Sequence, residues 1–302
     1  MTQRSLALIG ATMVSLIYGV TFTIAKDVMP AYVGPYGFIS IRVGISALLF
    51  WIVWLPLKKE KIDKADFPRI IAAAFFGVAL NMLTFFKGLS LTSPISASVI
   101  MVTTPIIVLV LSAIIIRERM QKRKILGILL GLAGTALLIL YGKSIGRSVN
   151  DGFGNFLVLV NTVSYGFYLI LVKKLMDKYT AFTFVKWVYF FGFIMVLPFG
   201  LSELSSVTWE TLPVDIIWKI IFVVVFSTFL TYLLNLLSMK TLQPTTVAVF
   251  IYLQPLFATV FAIGLGKDEL SWVKIISAAM IFSGVFLVTQ RKKLAPAEAP
   301  IS

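Results

Sequence analysis

Long apolar runs separated by short polar segments make up this chain from end to end. Ten of them are long enough to cross a bilayer as helices: 5–26, 35–57, 69–88, 94–116, 124–142, 153–173, 180–202, 216–239, 244–266 and 273–290. The longest connections, 58–68, 143–152 and 203–215, leave no room for a soluble domain between spans. The first run is too long for a signal-peptide core and no small-residue cleavage site follows it, so it reads as a retained span. The Ala- and Pro-rich tail 291–302 reads as disordered.

Two of the runs carry the same punctuation. Pro94 and Pro105 lie 11 positions apart, Pro244 and Pro255 lie 11 apart, and the two pairs are separated by 150 positions. Proline inside a helix removes a donor and crowds the preceding turn, at about 3 kcal/mol unless neighbours compensate. Its recurrence half a chain later predicts a duplicated unit, with helix kinks at Pro94, Pro105, Pro244 and Pro255 that meet at a common centre. Tyr18-Gly19 recurs as Tyr165-Gly166, and Gly134 is matched by Gly284. Five spans per copy is an odd number, so the second copy must insert upside down. The reading is an all-α polytopic membrane protein of two inverted five-helix repeats, 1–148 and 149–290, followed by the tail 291–302.

Composition agrees. With 59% hydrophobic and 13% charged residues, a soluble globular chain is a poor description. The net charge of +14 is dispersed among short loops, not gathered on a basic face, so no nucleic-acid partner is implied. Eighteen of the 27 Lys and Arg fall in segments that share a face with the N-terminus, and seven fall on the other. That bias places both termini in the cytoplasm, within a plasma membrane such as the bacterial inner membrane. The loop 58–69 is rich in Lys, whereas its counterpart 203–215 has none, as inversion requires.

The absence of Cys and His removes disulfides, Cys/His metal sites and histidine acid–base chemistry. No catalytic dyad, phosphate-binding loop or metal-ligand cluster is visible, so the chain reads as a non-enzyme without cofactor or metal. No Asp or Glu falls in the middle of a span. A carboxylate there would both bind a lipophilic cation and titrate, so its lack weighs against a multidrug or organic-cation exporter.

Two cations do lie inside spans, Arg42 and Lys186, and two readings stand side by side for each. One is attraction of an anionic group in a water-filled cavity; the other is snorkelling of a long side chain to the headgroups. Asn81, Asn161 and Asn235 are amides in apolar runs, suited either to helix–helix hydrogen bonds or to substrate. Tyrosines well inside spans need a hydroxyl partner, which favours bundle-facing positions. The substrate-binding candidates are Tyr18, Thr21, Arg42, Asn81, Phe85, Thr103, Tyr165, Tyr168, Asn235, Tyr252 and Gln254. Gly127, Gly131 and Gly134 form a small-residue stripe for close helix packing, with contact between subunits of a homodimer left open.

The order Tyr18-Gly19-Val20-Thr21-Phe22-Thr23-Ile24-Ala25-Lys26, then Arg42, then the Pro94/Pro105 span closed by Arg117-Glu118-Arg119, resembles the EamA branch of the drug/metabolite transporter superfamily. The resemblance runs from Ser5 to Gln290. It implies a five-plus-five inverted repeat, a central cavity lined by the first four helices of each repeat, and export of amino acids or related small metabolites. The chain departs from the family in having Tyr18 where Trp is common, and Lys267-Asp268-Glu269 where Gly-Glu is more usual. The expected function is a secondary transporter whose partners are a small-molecule substrate and the bilayer. The alternatives are an organic-cation exporter or a membrane protein that transports nothing.

Overall fold

The computed structural model describes residues 2–29, 31–57, 60–92, 94–141, 151–264 and 269–290. Ten membrane-length helices cover them, with no strand among the described residues. They are α1 (Gln3–Val28), α2 (Pro35–Trp54), α3 (Lys64–Leu91), α4 (Pro94–Met101 and Thr104–Ile115), α5 (Lys122–Leu140), α6 (Asp151–Met176), α7 (Ala181–Ser205), α8 (Val214–Thr241), α9 (Pro244–Gly264) and α10 (Trp272–Thr289). Both ends of this array lie on one side, here the terminal face. The tail 291–302 and Lys267-Asp268 lie outside the described residues.

Local signals start and stop the helices. Thr2, Thr180 and Ser271 cap α1, α7 and α10 by accepting from the backbone N–H three residues on. Pro35 opens α2 at a position where the missing N–H costs nothing. The same physics corrects part of the proline reading. Pro94 and Pro244 bend nothing; each opens its helix. The interruptions come at the second proline of each pair. A turn at Val102-Thr103 precedes Pro105, and a 3₁₀ turn at Phe250–Tyr252 precedes Pro255.

The most extensive helix pairings join one repeat to the other: α5 with α10, α2 with α7, α3 with α6, α1 with α8, α4 with α6, α3 with α7, α1 with α9, α2 with α8, and α4 with α9. Exchanging each helix with the one five places away leaves this set unchanged, which is the signature of a pseudo-two-fold axis. Without a hydrophobic drive between helices in lipid, such contacts rest on close approach. The two Tyr-Gly motifs supply it symmetrically. A Cβ on Gly19 would sit 2.8 Å from the Gln254 carbonyl of α9, and one on Gly166 would sit 2.9 Å from Leu111 of α4. The glycine stripe of α5 is consumed within the chain: a Cβ on Gly284 of α10 would lie 2.6 Å from the Gly127 carbonyl.

One shared feature has no proline behind it. The third helix of each repeat contains a π-type turn, Phe75–Ala79 in α3 and Val225–Leu230 in α8, again 150 positions apart. A π turn leaves backbone groups poorly paired and often marks a functional position. Each is served by the opposite repeat. Ser164 donates to the Phe76 carbonyl (2.6 Å) and Tyr232 to the Gly77 carbonyl (3.0 Å). On the other side, Ser46 reaches the Val224 carbonyl at 3.4 Å, and Arg42 donates to Thr228 Oγ1 at 3.1 Å.

Candidate functional site

A cavity of about 750 Å³ opens between the helices on the face opposite the termini. Its mouth carries Asp27 and Met29 at the end of α1, Pro35 at the start of α2, and Leu89 and Ser90 at the end of α3. Its floor is Arg42 of α2, Tyr18 of α1 and Tyr232 of α8. Arg42 is seven residues beyond Pro35, so the floor lies about 10 Å below the helix ends at 1.5 Å per residue. Thr21, Asn81, Met82, Phe85, Phe86 and Met101 form much of the wall.

Arg42 is 6% exposed, and what it touches is not lipid headgroup. Its Nε donates to Thr228 Oγ1, and Thr228 in turn donates to the Val223 carbonyl at 2.8 Å, inside the π turn of α8. The guanidinium carbon lies 5.5 Å from the Phe86 ring centre and 5.8 Å from that of Phe38. Its terminal nitrogens have no protein acceptor among the described residues, and no carboxylate pairs with it there. A charge-assisted donor fork is thus held in place by one nitrogen and left open by the others.

Of the other sequence candidates, Tyr18, Thr21, Asn81 and Phe85 join Arg42 on the cavity surface. The Tyr18 hydroxyl is 3.2 Å from Thr231 Oγ1. Asn81 also serves packing: its amide donates to the Asn161 carbonyl (3.3 Å) while the Asn161 amide donates to the Asn81 carbonyl (2.9 Å). Six candidates lie elsewhere. Thr103 turns its hydroxyl to the Ile100 carbonyl at 2.6 Å, inside the break of α4. Tyr165 packs on Tyr168, ring centres 6.1 Å apart, and Tyr168 is buried over Gly77. Tyr252 is buried over Gly131 of α5, Asn235 is buried in α8, and Gln254 meets Gly19 through its backbone.

Both repeats were expected to line the cavity with their first four helices. The first repeat does so, and among the lining residues the second contributes Tyr232. The physical reason is that the α6 tyrosines are spent as core against α3. Met82, Phe86, Met101 and Asp27 were missed. Asn81, Met82, Phe85, Phe86 and Leu89 follow the one-face spacing of a helix, a signal already present in the sequence. Asp27 escaped because α1 runs on to Val28; it pairs with Lys219 of α8 at 2.8 Å.

The terminal face is tied shut across the repeats. Asp66 accepts from Lys178 and the Tyr179 hydroxyl, both at 2.7 Å. Glu60 accepts from the Thr180 amide and hydroxyl at 3.0 and 2.9 Å. Glu118 accepts from Lys124 at 2.6 Å and from Thr245 at 2.7 Å. The hydrogen bond to Asp66 raises the Lys178 amine above its usual range. Burial pushes the Glu60 carboxyl up, but the Thr180 bonds outweigh it and the net shift is down.

Lys186 is not at this site. It is 3% exposed, with Nζ 2.8, 4.5 and 5.5 Å from the ring centres of Trp54, Trp51 and Trp187, and it has no acidic partner among the described residues. It does not snorkel; the tryptophans enclose it.

A family model for the EamA-like transporter family matches residues 5–140 and again 152–290. The chain belongs to this family. Ten spans, two inverted repeats and the ten-helix array follow the EamA plan. Among curated relatives, the chain is 25% identical over 262 residues to the uncharacterized transporter YetK of Bacillus subtilis, covering 84% of this chain and 78% of that one. It is 26% identical over 275 residues to an uncharacterized transporter of Archaeoglobus fulgidus, covering 91% and 95%. A solved crystal structure superposes with a TM-score of 0.79 at 18% identity, covering 95% of this chain and 99% of that one, a likeness of fold. The protein is thus a multi-pass membrane protein of a transporter family.

Proposed function

We propose that this EamA-family protein is a secondary carrier that exports small carboxylate-bearing metabolites, amino acids among them, by alternating access across a bacterial inner membrane. The observation that carries the reading is a blind cavity lined by the first repeat and closed by Tyr232 of the second, floored by Arg42 and separated from the terminal face by three cross-repeat ties. Inverted repeats with a midplane site are the architecture by which one half rocks against the other. Arg42 argues against organic cations, since a buried cation repels a second one. The cation bias of the loops supports a cytoplasmic terminal face, and with it a conformation open to the outside.

Counterflow into proteoliposomes is the test. Purified protein reconstituted with a mixed pool of amino acids and organic acids should exchange at least one of them. Proteoliposomes that exchange none would refute the carrier reading. Orientation is tested separately in this Cys-free chain. A cysteine at Ser206 should react with an impermeant reagent in intact cells, and one at Lys61 should not; the reverse pattern inverts the topology.

A further inference from the structure

We infer that the cavity selects substrates carrying a net charge of −1 on an apolar body, in preference to zwitterions of the same shape. This rests on the carrier reading and narrows it.

The argument is one of charge balance. Among the described residues Arg42 is the single charge at the cavity floor and has no protein counter-ion, and it is 94% buried. An isolated buried charge is costly, and a carrier must close over it during its cycle. A monoanion makes the occluded complex neutral. A zwitterion leaves one positive charge in excess, and a cation leaves two. Among the described residues no carboxylate meets a substrate ammonium at that depth. The lining carboxylate, Asp27, is at the mouth and is held by Lys219.

The second observation concerns the body of the ligand. Phe85, Phe86 and Met101 face the volume above Arg42, and the lining surface is largely apolar. The Phe86 ring centre also lies 5.5 Å from the guanidinium carbon, a cation–π contact, and the two terminal nitrogens are a donor pair suited to two carboxylate oxygens. A carboxylate on Arg42 with a ring or branched chain against Phe85 and Met101 satisfies both parts of the cavity. Short polar dicarboxylates satisfy only the first.

A matched triplet isolates charge from shape: 3-phenylpropanoate, phenylalanine and phenethylamine share one body with net charge −1, 0 and +1. At neutral pH, 3-phenylpropanoate should raise the melting temperature of the purified protein and drive counterflow at least tenfold faster than phenylalanine. Phenethylamine should do neither. Arg42→Gln should cut that preference to less than threefold while its unliganded melting temperature stays near the parent's. Arg42→Lys should recover part of it, since the charge remains but the fork is lost. Should Arg42→Gln fail to fold, Phe86→Leu offers a second readout: it should weaken 3-phenylpropanoate binding and keep the charge order. Phenylalanine or phenethylamine moving as fast as 3-phenylpropanoate would overturn the inference and leave the carrier reading intact. So would the absence of any thermal shift with 3-phenylpropanoate in a protein that exchanges other metabolites.

Discussion

Replacing Glu118 by Gln should loosen the terminal face by an amount that the geometry sets. Glu118 follows Arg117, whose φ of 53° turns the chain sharply after α4, and the Glu118 N–H returns to the Ser112 carbonyl at 3.1 Å. The carboxylate is thereby aimed at Lys124 of its own repeat and Thr245 of the other. The side chains of Lys124 and Glu118 are 10% and 6% exposed, so the pair is largely desolvated. Removing one partner of a buried pair costs about 3–5 kcal/mol. Two features reduce that here. Gln retains an acceptor for Lys124, preserving about 1 kcal/mol, and Lys124 in the first turn of α5 can swing toward the headgroups. The expected loss is therefore about 2 kcal/mol for Glu118→Gln. Removing both charges, with Glu118→Gln and Lys124→Met together, should cost only about 1 kcal/mol, because no unpaired charge remains. Unfolding free energies of the four proteins in mixed micelles of fixed composition complete the cycle, with an expected coupling of about 1.5 kcal/mol or more. A coupling below about 0.5 kcal/mol would mean the pair behaves like an exposed one. Thr245→Val supplies a separate arm: it breaks only the cross-repeat tie, at about 1 kcal/mol.

Three further outcomes are expected. Gly284→Ala should destabilise by about 2 kcal/mol, because the new methyl meets the Gly127 carbonyl and the Gly131 amide, which are backbone and cannot yield; a loss under about 0.5 kcal/mol in the same assay would contradict the tight α5–α10 seam. Lys186→Met should leave stability unchanged or raise it, since the cation–π gain of about 2 kcal/mol is smaller than the several kcal/mol needed to bury an unpaired ammonium. A fall of more than about 1 kcal/mol would show that the tryptophan contacts prevail. Acid should weaken the Glu60–Thr180 tie. The folded value of Glu60 lies below the unfolded one, so its contribution is present above the ordinary glutamate range near ~4.3 and is lost as pH falls through the folded value. Glu60→Gln should flatten that part of the stability profile from about pH 5 downward. Parallel profiles for parent and variant would remove Glu60 from the account.

The spans were legible because lipid demands long apolar runs, and duplication was legible because the prolines and the Tyr-Gly pairs repeat in register. The roles of those marks were legible only in part. Gly19 and Gly166 turned out to be the points where α1 and α6 press against the fourth helix of the opposite repeat, a role their small size suggests. Pro94 and Pro244 were read as kinks because sequence does not fix whether a proline lies inside a helix or at its first turn. The π turns were invisible, since Phe75–Ala79 and Val225–Leu230 share neither proline nor composition, and only their equal place in the third helix of each repeat relates them.

The cavity divides along a similar line. Arg42 and Asn81 announce themselves because charge and amide are expensive in an apolar run, whatever surrounds them. Tyrosine gives no such signal: its ring serves a core as well as its hydroxyl serves a site. Tyr18 and Tyr165 hold matching places in the duplicated sequence, yet one borders the cavity and the other is packed against Tyr168. The offset that pairs them sets Tyr189 opposite Arg42, so the charge has no counterpart in the second repeat. The backbone is therefore nearly symmetric while the chemistry is one-sided. An arginine fixed to the π turn of α8 by Thr228 ties the charged floor of the first repeat to the helix of the second that must move if the repeats rock. In the proposed carrier, the arginine offered to substrate is in direct contact with the π turn of the opposite repeat, so binding at the first would bias the second.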